Sequence, residues 1–509
     1  MVLSIQVALA ALLSVVLASK WWNYRSHMTK LAAIPTVGHS GLLSSYLSAY
    51  RFIKRGGAIV QEGCDKYRGG PFKIPLLDKW IVIISSTDMV EDFRKAGDHE
   101  LSLQEAFRET FHADLVLGKQ PAVDPYHVGV IQGALTRNMA SKLGDLYDEL
   151  AAAFNDEIPA TNEWVETMAV EKVLRIVCRT TNRIFVGLPL CRNEEWKDIV
   201  IDYATRCFTA SQSINLSPKF LQPFVGWYVN PRPASFKRAN KHLRPIILDR
   251  LEKEKMHGLD KDAPQDMLTW LINSGNVDER QRRDPVNLVL SILTTNMGAI
   301  HTTSMAFTHA LFNLALRPEL IDILRQEIEP VIQEEGWTKS ATGKLDKLDS
   351  FLKESQRVSA SFSISVQRKP LKDFVFTNGI VVPAGTIIVA SPRAIHFNES
   401  NYPNPSEFDA FRSYRLREAE GETKGKNMSY KHHMATPDSS YLTFGVGKHA
   451  CPGRFFAVTE LKLLMSHTLM YYDFKFSDGA DGPKRNEFGG RLNLDETTKL
   501  MFRKRGDSN

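Results

Sequence analysis

Phe444-Gly445-Val446-Gly447-Lys448-His449-Ala450-Cys451-Pro452-Gly453 is the stretch on which the reading of this chain turns, and an apolar run with helical character, Phe455 to Leu469, follows it. A cysteine placed where a glycine-rich turn hands over to a helix meets backbone N–H groups and the positive end of the helix dipole. Both favour its thiolate, the form that binds a metal. The glycines supply unusual backbone dihedrals and let the chain lie close under a flat ligand, while Phe444 is placed to screen the sulfur from water. Taken alone, Cys-Pro-Gly is a weak signal, because a buried structural cysteine ahead of a turn is commoner than a ligand. The whole spacing is specific.

Working upstream, Glu354-Ser355-Gln356-Arg357 puts a carboxylate and a guanidinium three residues apart on one helix face, which in isolation reads as a solvated surface pair. Pro403-Asn404-Pro405-Ser406-Glu407-Phe408-Asp409-Ala410-Phe411-Arg412 follows it. Further upstream, the helical run from Pro285 contains Gly298-Ala299-Ile300-His301-Thr302-Thr303, a patch that would ordinarily mark a helix bend or a polar face.

In this order the three stretches resemble the cytochromes P-450, fungal microsomal members in particular, and the resemblance covers essentially the whole chain. They match the FxxGxxxCxG haem-binding signature, the ExxR helix with a later arginine completing a buried Glu-Arg-Arg triad, and the distal helix over the iron. The resemblance implies haem b with Cys451 as the axial metal ligand, and Phe444, Gly445, His449 and Gly453 in the cofactor-binding loop. His449 stands where an arginine usually binds a haem propionate; Arg137, in Leu135-Thr136-Arg137-Asn138, and Arg368 resemble further propionate ligands, where cations are expected beside carboxylates. Glu354, Arg357 and Arg412 would form the triad, a network that fixes the fold rather than doing chemistry. Thr302 takes the place of the threonine that positions protons. Three departures stand out: the small pair runs Gly298-Ala299, His301 replaces an acid, and Ala410 stands where proline is common. With an ordinary imidazole pKa of about 6.5, His301 reads either as a proton relay or as a packed core residue.

The activity implied is monooxygenation. NADPH-cytochrome P-450 reductase, with cytochrome b5 as a possible second donor, would deliver electrons, and one atom of O2 would enter a hydrophobic small-molecule substrate. Phe107, Phe111, Leu115, Phe362, Ile364 and the Gly489-Gly490-Arg491-Leu492 turn match pocket-lining segments and are mostly apolar, which suits a terpenoid, a steroid or a related product of fungal specialised metabolism. Two other readings share the fold: a haem-thiolate isomerase or dehydratase, against which Thr302 speaks, and a haem-bound sensor or ligand-binding protein without turnover.

The 509 residues, 43% hydrophobic and 24% charged, describe a globular protein without interior linker or repeat. The formal charge of +6, from 64 Lys+Arg against 58 Asp+Glu, is too mild and too dispersed for a nucleic-acid binder. Cys64, Cys178, Cys191 and Cys207 form no CxxC pair and read as buried hydrophobes. Val2 to Ala18 is almost wholly apolar and Lys20, Trp21, Trp22, Tyr24, Arg25 and Lys30 follow at once, the pattern of a retained single-pass membrane anchor with a cytosolic body. A cleaved signal peptide would carry its charge ahead of the apolar core. The division expected is an anchor over 1–19, a hinge over 20–45 and a catalytic domain over 46–509, on the endoplasmic reticulum membrane. Sequons at Asn215, Asn398 and Asn427 would then stay unmodified. The body is expected to be mostly α with minor β, with a hairpin over Pro71–Pro75 and Trp80–Ile84, and helices over Lys142–Phe154, Trp164–Val186, Trp196–Thr209, Ser235–Lys255 and Pro285–Leu316. A strand is expected over Ile380–Ala390, and Phe220 to Tyr228 reads as an aromatic link, either packed or in contact with a membrane.

Overall fold

In a computed structural model the described residues are 18–19, 21–22, 25–26, 28–41, 43–257, 263–275, 277–359, 363–424, 431–477, 479, 482–483 and 486–506. All but Ala18 of the apolar run Val2–Ala18, together with Phe362 and Asn427, lies outside them. Among the described residues no helix is long and apolar enough to cross a membrane.

The architecture is mostly helical with a small sheet at one side. The sheet contains β1 (Phe72–Pro75), β2 (Trp80–Ile84), β3 (Leu101–Ser102), β4 (Ser365–Pro370) and β5 (Ile387–Ala390) in the order β1-β2-β5-β4-β3. The expected hairpin is β1-β2, with Phe72 opposite Ile83 and Pro75 opposite Trp80. β5 runs parallel to β2, pairing Ile81 with Ile387. Both central strands are buried throughout, which is why they read as unbroken Ile/Val runs rather than as alternating ones. The strand expected over Ile380–Ala390 is split, because Pro383-Ala384-Gly385 turns the chain between Val381–Val382 and Ile387–Ala390, with Gly385 at φ +80°.

Six helices frame the site: α1 (Thr136–Glu157), α2 (Ala169–Phe185), α3 (Glu194–Asn215), α4 (Pro285–Ala315), α5 (Asp346–Val358) and α6 (Arg454–Tyr471). α4 is the spine. Pro285 opens it, where a missing N–H costs nothing, and the Asp284 side chain accepts from Val286 N. Residues of α4 from Leu288 to Leu314 are buried on nearly every face, as expected of a helix packed on all sides. α2 starts later than the sequence pattern suggests. Val165–Met168 forms a strand instead, antiparallel to Lys499–Lys504, a partner more than 330 residues away that no local pattern reveals.

The stretch before the sheet is tied into the body. Leu31, Ile34 and Val37 are buried, and the buried Lys73 ammonium donates to Leu31 O at 2.7 Å and to Ile34 O. The backbone of Lys73 adds bonds to Pro35 O at 2.8 Å and from Val37 N at 3.0 Å.

Candidate active site

α4 and the cysteine turn face each other across a cavity of about 380 Å³, a size typical of small-molecule sites. Gly298, Ala299 and Thr302 line it from α4, and Phe444, Cys451, Pro452 and Gly453 from the turn. Ile131, Leu135, Phe185, Met305 and Phe456 supply much of the apolar wall.

The turn takes its shape from its glycines. Gly445 and Gly447 adopt φ of +74° and +62°, and a Cβ at Gly447 would lie 2.9 Å from Arg94 Cγ and 3.1 Å from Arg94 O. Cys451 N–H closes the loop on Phe444 O at 2.7 Å, and Gly453 stands as N-cap of α6. The sulfur is therefore aimed into the cavity just ahead of a helix start. Burial pushes the Cys451 thiol up, while the backbone N–H groups of Gly453 and Arg454 and the Arg454 charge pull it down. Burial is the larger effect, so the turn and helix start favour the thiolate, as expected, and lessen its cost without making one. A bound metal deprotonates a coordinating thiol outright.

Two buried groups near the cavity lack the partners they would need. Arg368 is 2% exposed, burial pushes it down to about 10, and its guanidinium's only hydrogen bond among the described residues is to Gln367 O at 2.8 Å. It sits on β4, whose Ser365 lines the cavity. His127 lines the cavity directly, its Nδ1 has no partner, and burial pushes it down to about 4. Buried polar groups are rarely left so. A flat cofactor with two carboxylates would satisfy both, so these residues fit haem.

The other expected propionate ligands face elsewhere. Arg137 is exposed on α1 and is not among the cavity residues. His449 Nε2 contacts Asp98 Oδ1 at 2.5 Å, and Lys448 holds the other oxygen of Asp98 at 3.0 Å. The Asp98 carboxylate engages both side chains, and neither lines the cavity. His301 is also turned away: successive helical residues are rotated by about 100°, so with Thr302 facing the cavity, His301 points at α3, where Nε2 meets Ile201 O at 3.2 Å. Burial pushes its pKa down. The Thr302 hydroxyl donates to Gly298 O at 2.7 Å, leaving its oxygen lone pairs toward the cavity.

The three residues of the expected triad do meet. Glu354 accepts from Arg357 at 2.8 and 2.7 Å and from Asp409 N at 3.0 Å, with Arg412 Nε 3.6 Å away. Phe107, Phe111 and Leu115 are not cavity residues; Phe111 stacks on Phe107 and meets Phe208 edge-on, with centroids at 5.0 and 5.4 Å. Ile364 is likewise outside the lining. The Gly489-Gly490 turn docks on the helix Ser44–Lys66, Gly489 N–H reaching Ile53 O at 2.8 Å. Residues that the sequence left unmarked, His127, Thr294, Ser365 and Met434, complete the lining. His127 and Met434 belong to no quoted motif, whereas Gln356 and Thr303 lie inside motifs and Leu442 and Thr443 stand just ahead of one.

Comparison with known proteins places this geometry. The sequence profile of the family described as Cytochrome P-450 matches residues 56–502. Cytochrome P-450 monooxygenase 103 of Postia placenta is 38% identical over 97% of this chain and 98% of its own. Cytochrome P-450 monooxygenase paxQ of Penicillium paxilli is 32% identical over 92% of each. A solved cytochrome P-450 haem domain superposes with a TM-score of 0.67 over 93% of this chain and 98% of its own; at 16% identity that likeness speaks to the fold alone. Proteins of this family bind haem iron through an axial cysteine thiolate. The chain belongs to the cytochrome P-450 family and is a haem-dependent monooxygenase.

Proposed function

We propose that this enzyme inserts one atom of dioxygen into a bulky hydrophobic compound of terpenoid or steroid type, using electrons relayed from NADPH by a reductase, with cytochrome b5 as a second donor. The observation that carries the reading is the cavity itself, apolar over most of its wall, with Thr302 on one side and Cys451 on the other. Haem ligated by thiolate would supply the oxygen-splitting chemistry there. Cys451 would hold the haem iron through its sulfur, and Phe444 would keep water from it. Arg368 and His127 would hold the cofactor's carboxylates, the first through charge-assisted and the second through neutral hydrogen bonds. Thr302, with its hydrogen already given to Gly298 O, accepts a hydrogen bond from water and so keeps a proton source at the reacting face. His301 is a packing residue that fastens α4 to α3.

The division of labour between Thr302 and His301 tests this. With reductase, NADPH and a compound that shifts the Soret band, Thr302→Ala is expected to lower product by about a hundredfold while NADPH is still consumed and peroxide released. Product made under isotopically heavy dioxygen should carry one heavy atom. His301→Ala should instead lower the yield of haem-loaded protein. A silent Thr302→Ala beside a large peroxide rise in well-folded His301→Phe would reverse the two roles.

We further propose that the catalytic body faces the cytosol on the endoplasmic reticulum membrane, held by the Val2–Ala18 run. Support comes from two exposed apolar patches. Phe220, Phe224, Trp227 and Tyr228 are 70, 71, 82 and 84% exposed on and beside the helix Gln222–Val229. Leu43, Tyr46, Leu47 and Tyr50 repeat at helical spacing at the start of Ser44–Lys66. Deleting Met1 to Trp22 should leave the haem spectrum intact and weaken membrane attachment. Adding Phe224→Ser and Trp227→Ser to the truncated protein should then abolish residual co-sedimentation with lipid vesicles. Loss of haem on truncation, or vesicle binding indifferent to the two substitutions, would count against the arrangement.

A further inference from the structure

Glu460 has no part in the chemistry above, yet it is a wholly buried acid on α6, one turn from Ala457 and next to Leu461, both of which line the cavity. Its one side-chain hydrogen bond among the described residues is neutral: Thr181 of α2 donates from Oγ1 to Oε1 at 2.9 Å. The second carboxyl oxygen, Oε2, is buried without a partner.

The charged and titratable groups of the surrounding elements are engaged elsewhere. On α2, Arg179 pairs with Glu149 of α1 and with Asp156, and Arg183 pairs with Asp145. On α6 itself, Lys462 holds Asp349 of α5 at 3.0 Å. Lys353 of α5 donates to His432 O, and Glu354 and Arg357 hold each other. On the helix Glu319–Glu335, Arg325 pairs with Asp473 of the strand Tyr472–Phe476. Lys344 of the short helix Lys339–Lys344 pairs with Glu335. His309 of α4 and His467 of α6 are pushed down to about 4 by burial and stay neutral. No cation therefore compensates a Glu460 carboxylate; burial pushes its pKa up to about 8, against the single hydrogen bond from Thr181.

We propose that in alkaline solution, where its carboxylate is ionised, Glu460 takes up a proton as the haem iron takes up its first electron. An added negative charge in a weakly polarisable interior raises the proton affinity of a neighbouring acid, and does so most where no cation screens the pair. The change balances: one electron passes from the reductase to ferric iron, one proton passes from water to the carboxylate of Glu460, and no other bond forms or breaks. Delivery of charge to the buried centre is then neutral overall, which lowers its electrostatic cost.

The inference rests on haem being held by Cys451, and the experiment separates the two. The reduction midpoint potential of the full-length, haem-loaded protein is measured against pH, and the reduced carbonyl spectrum is recorded on the same samples. In the unsubstituted protein the potential should fall with rising pH through a window that opens near the Glu460 pKa and extends above it, with a limiting slope of about 59 mV per pH unit for one proton per electron. Glu460→Gln keeps the shape but cannot titrate, and should flatten the curve across that window. Thr181→Val removes the bond that favours the carboxylate and should move the window to higher pH. A Glu460→Gln slope equal to that of the unsubstituted protein, or an unsubstituted potential independent of pH, overturns the proposal. If Glu460→Gln fails to load haem, an unmoved window in Thr181→Val overturns it equally. A missing thiolate-type carbonyl band would instead indict the ligand assignment.

Discussion

Replacing Cys451 with serine or alanine is expected to abolish the thiolate-type Soret band of the reduced carbonyl complex and to reduce monooxygenation to background. The other four cysteines cannot compensate. Cys64, Cys178, Cys191 and Cys207 are all buried, none lines the cavity, and desolvation pushes their thiols up, to about 11 in Cys64 and Cys191 and about 12 in Cys207. Each also lacks the paired backbone N–H groups that Cys451 receives from Gly453 and Arg454. A serine hydroxyl has the right shape but is far less acidic than a thiol and gives up little electron density to iron, so haem retained in that variant should show a different carbonyl spectrum. Spectra of haem-reconstituted Cys451→Ala decide the matter, since survival of the band there would mean that some other residue holds the iron.

The second large effect is expected from Glu354→Ala. Glu354 is 3% and Arg357 1% exposed, so removing the carboxylate leaves a buried guanidinium without its counter-charge, at a cost of about 3–5 kcal/mol. That is a large part of the roughly 5–15 kcal/mol that holds a typical domain folded. The damage reaches the cysteine turn by a traceable route. Arg357 donates to His396 O at 2.7 Å, to Pro405 O at 2.8 Å and to Glu407 O at 3.1 Å, while His396 Nδ1 donates to Arg357 O at 3.2 Å. The far nitrogen of the same ring, Nε2, accepts from Leu442 N at 2.9 Å, two residues ahead of Phe444. Burial pushes His396 down to about 4, which keeps it neutral and able to accept. Haem content per polypeptide should therefore fall together with the thermal midpoint, and Glu354→Gln should be milder. Normal haem loading with an unchanged midpoint and only slower turnover would show that the triad serves chemistry rather than folding.

The parts of this molecule that were legible in its sequence are those encoded by neighbours along the chain. The turn before Cys451 needs glycines within a few residues, Glu354 and Arg357 share a face by helix periodicity, and the Phe72–Ile84 hairpin is short-range. What escaped was set by distant partners. His127 became a cavity residue because its short helix, Tyr126–Val130, packs where α4 passes, and nothing around it in sequence says so. His449 looked like a propionate ligand until Asp98, some 350 residues away, took its imidazole. Phe107 and Phe111 have the chemistry of a pocket wall, but they stack on one another and Phe111 meets Phe208 edge-on. Their apolar character suits either place, so hydrophobicity alone did not choose between them.

The ammonium of Lys73 sets the length of a leash. By gripping the carbonyls of Leu31 and Ile34, it makes the chain from Leu31 onward part of the rigid body. With the apolar run seated in a bilayer as proposed, about nine residues separate its aromatic flank at Trp22 from the first fixed point. Fully extended they would reach roughly 30 Å, and the helical residues 21–22, 25–26 and 28–30 make the reach shorter. On that proposal the body would ride close to the lipid. Its two aromatic patches need only a shallow approach to touch the surface, and Lys73→Met, which releases the grip, should lengthen the leash and loosen that orientation.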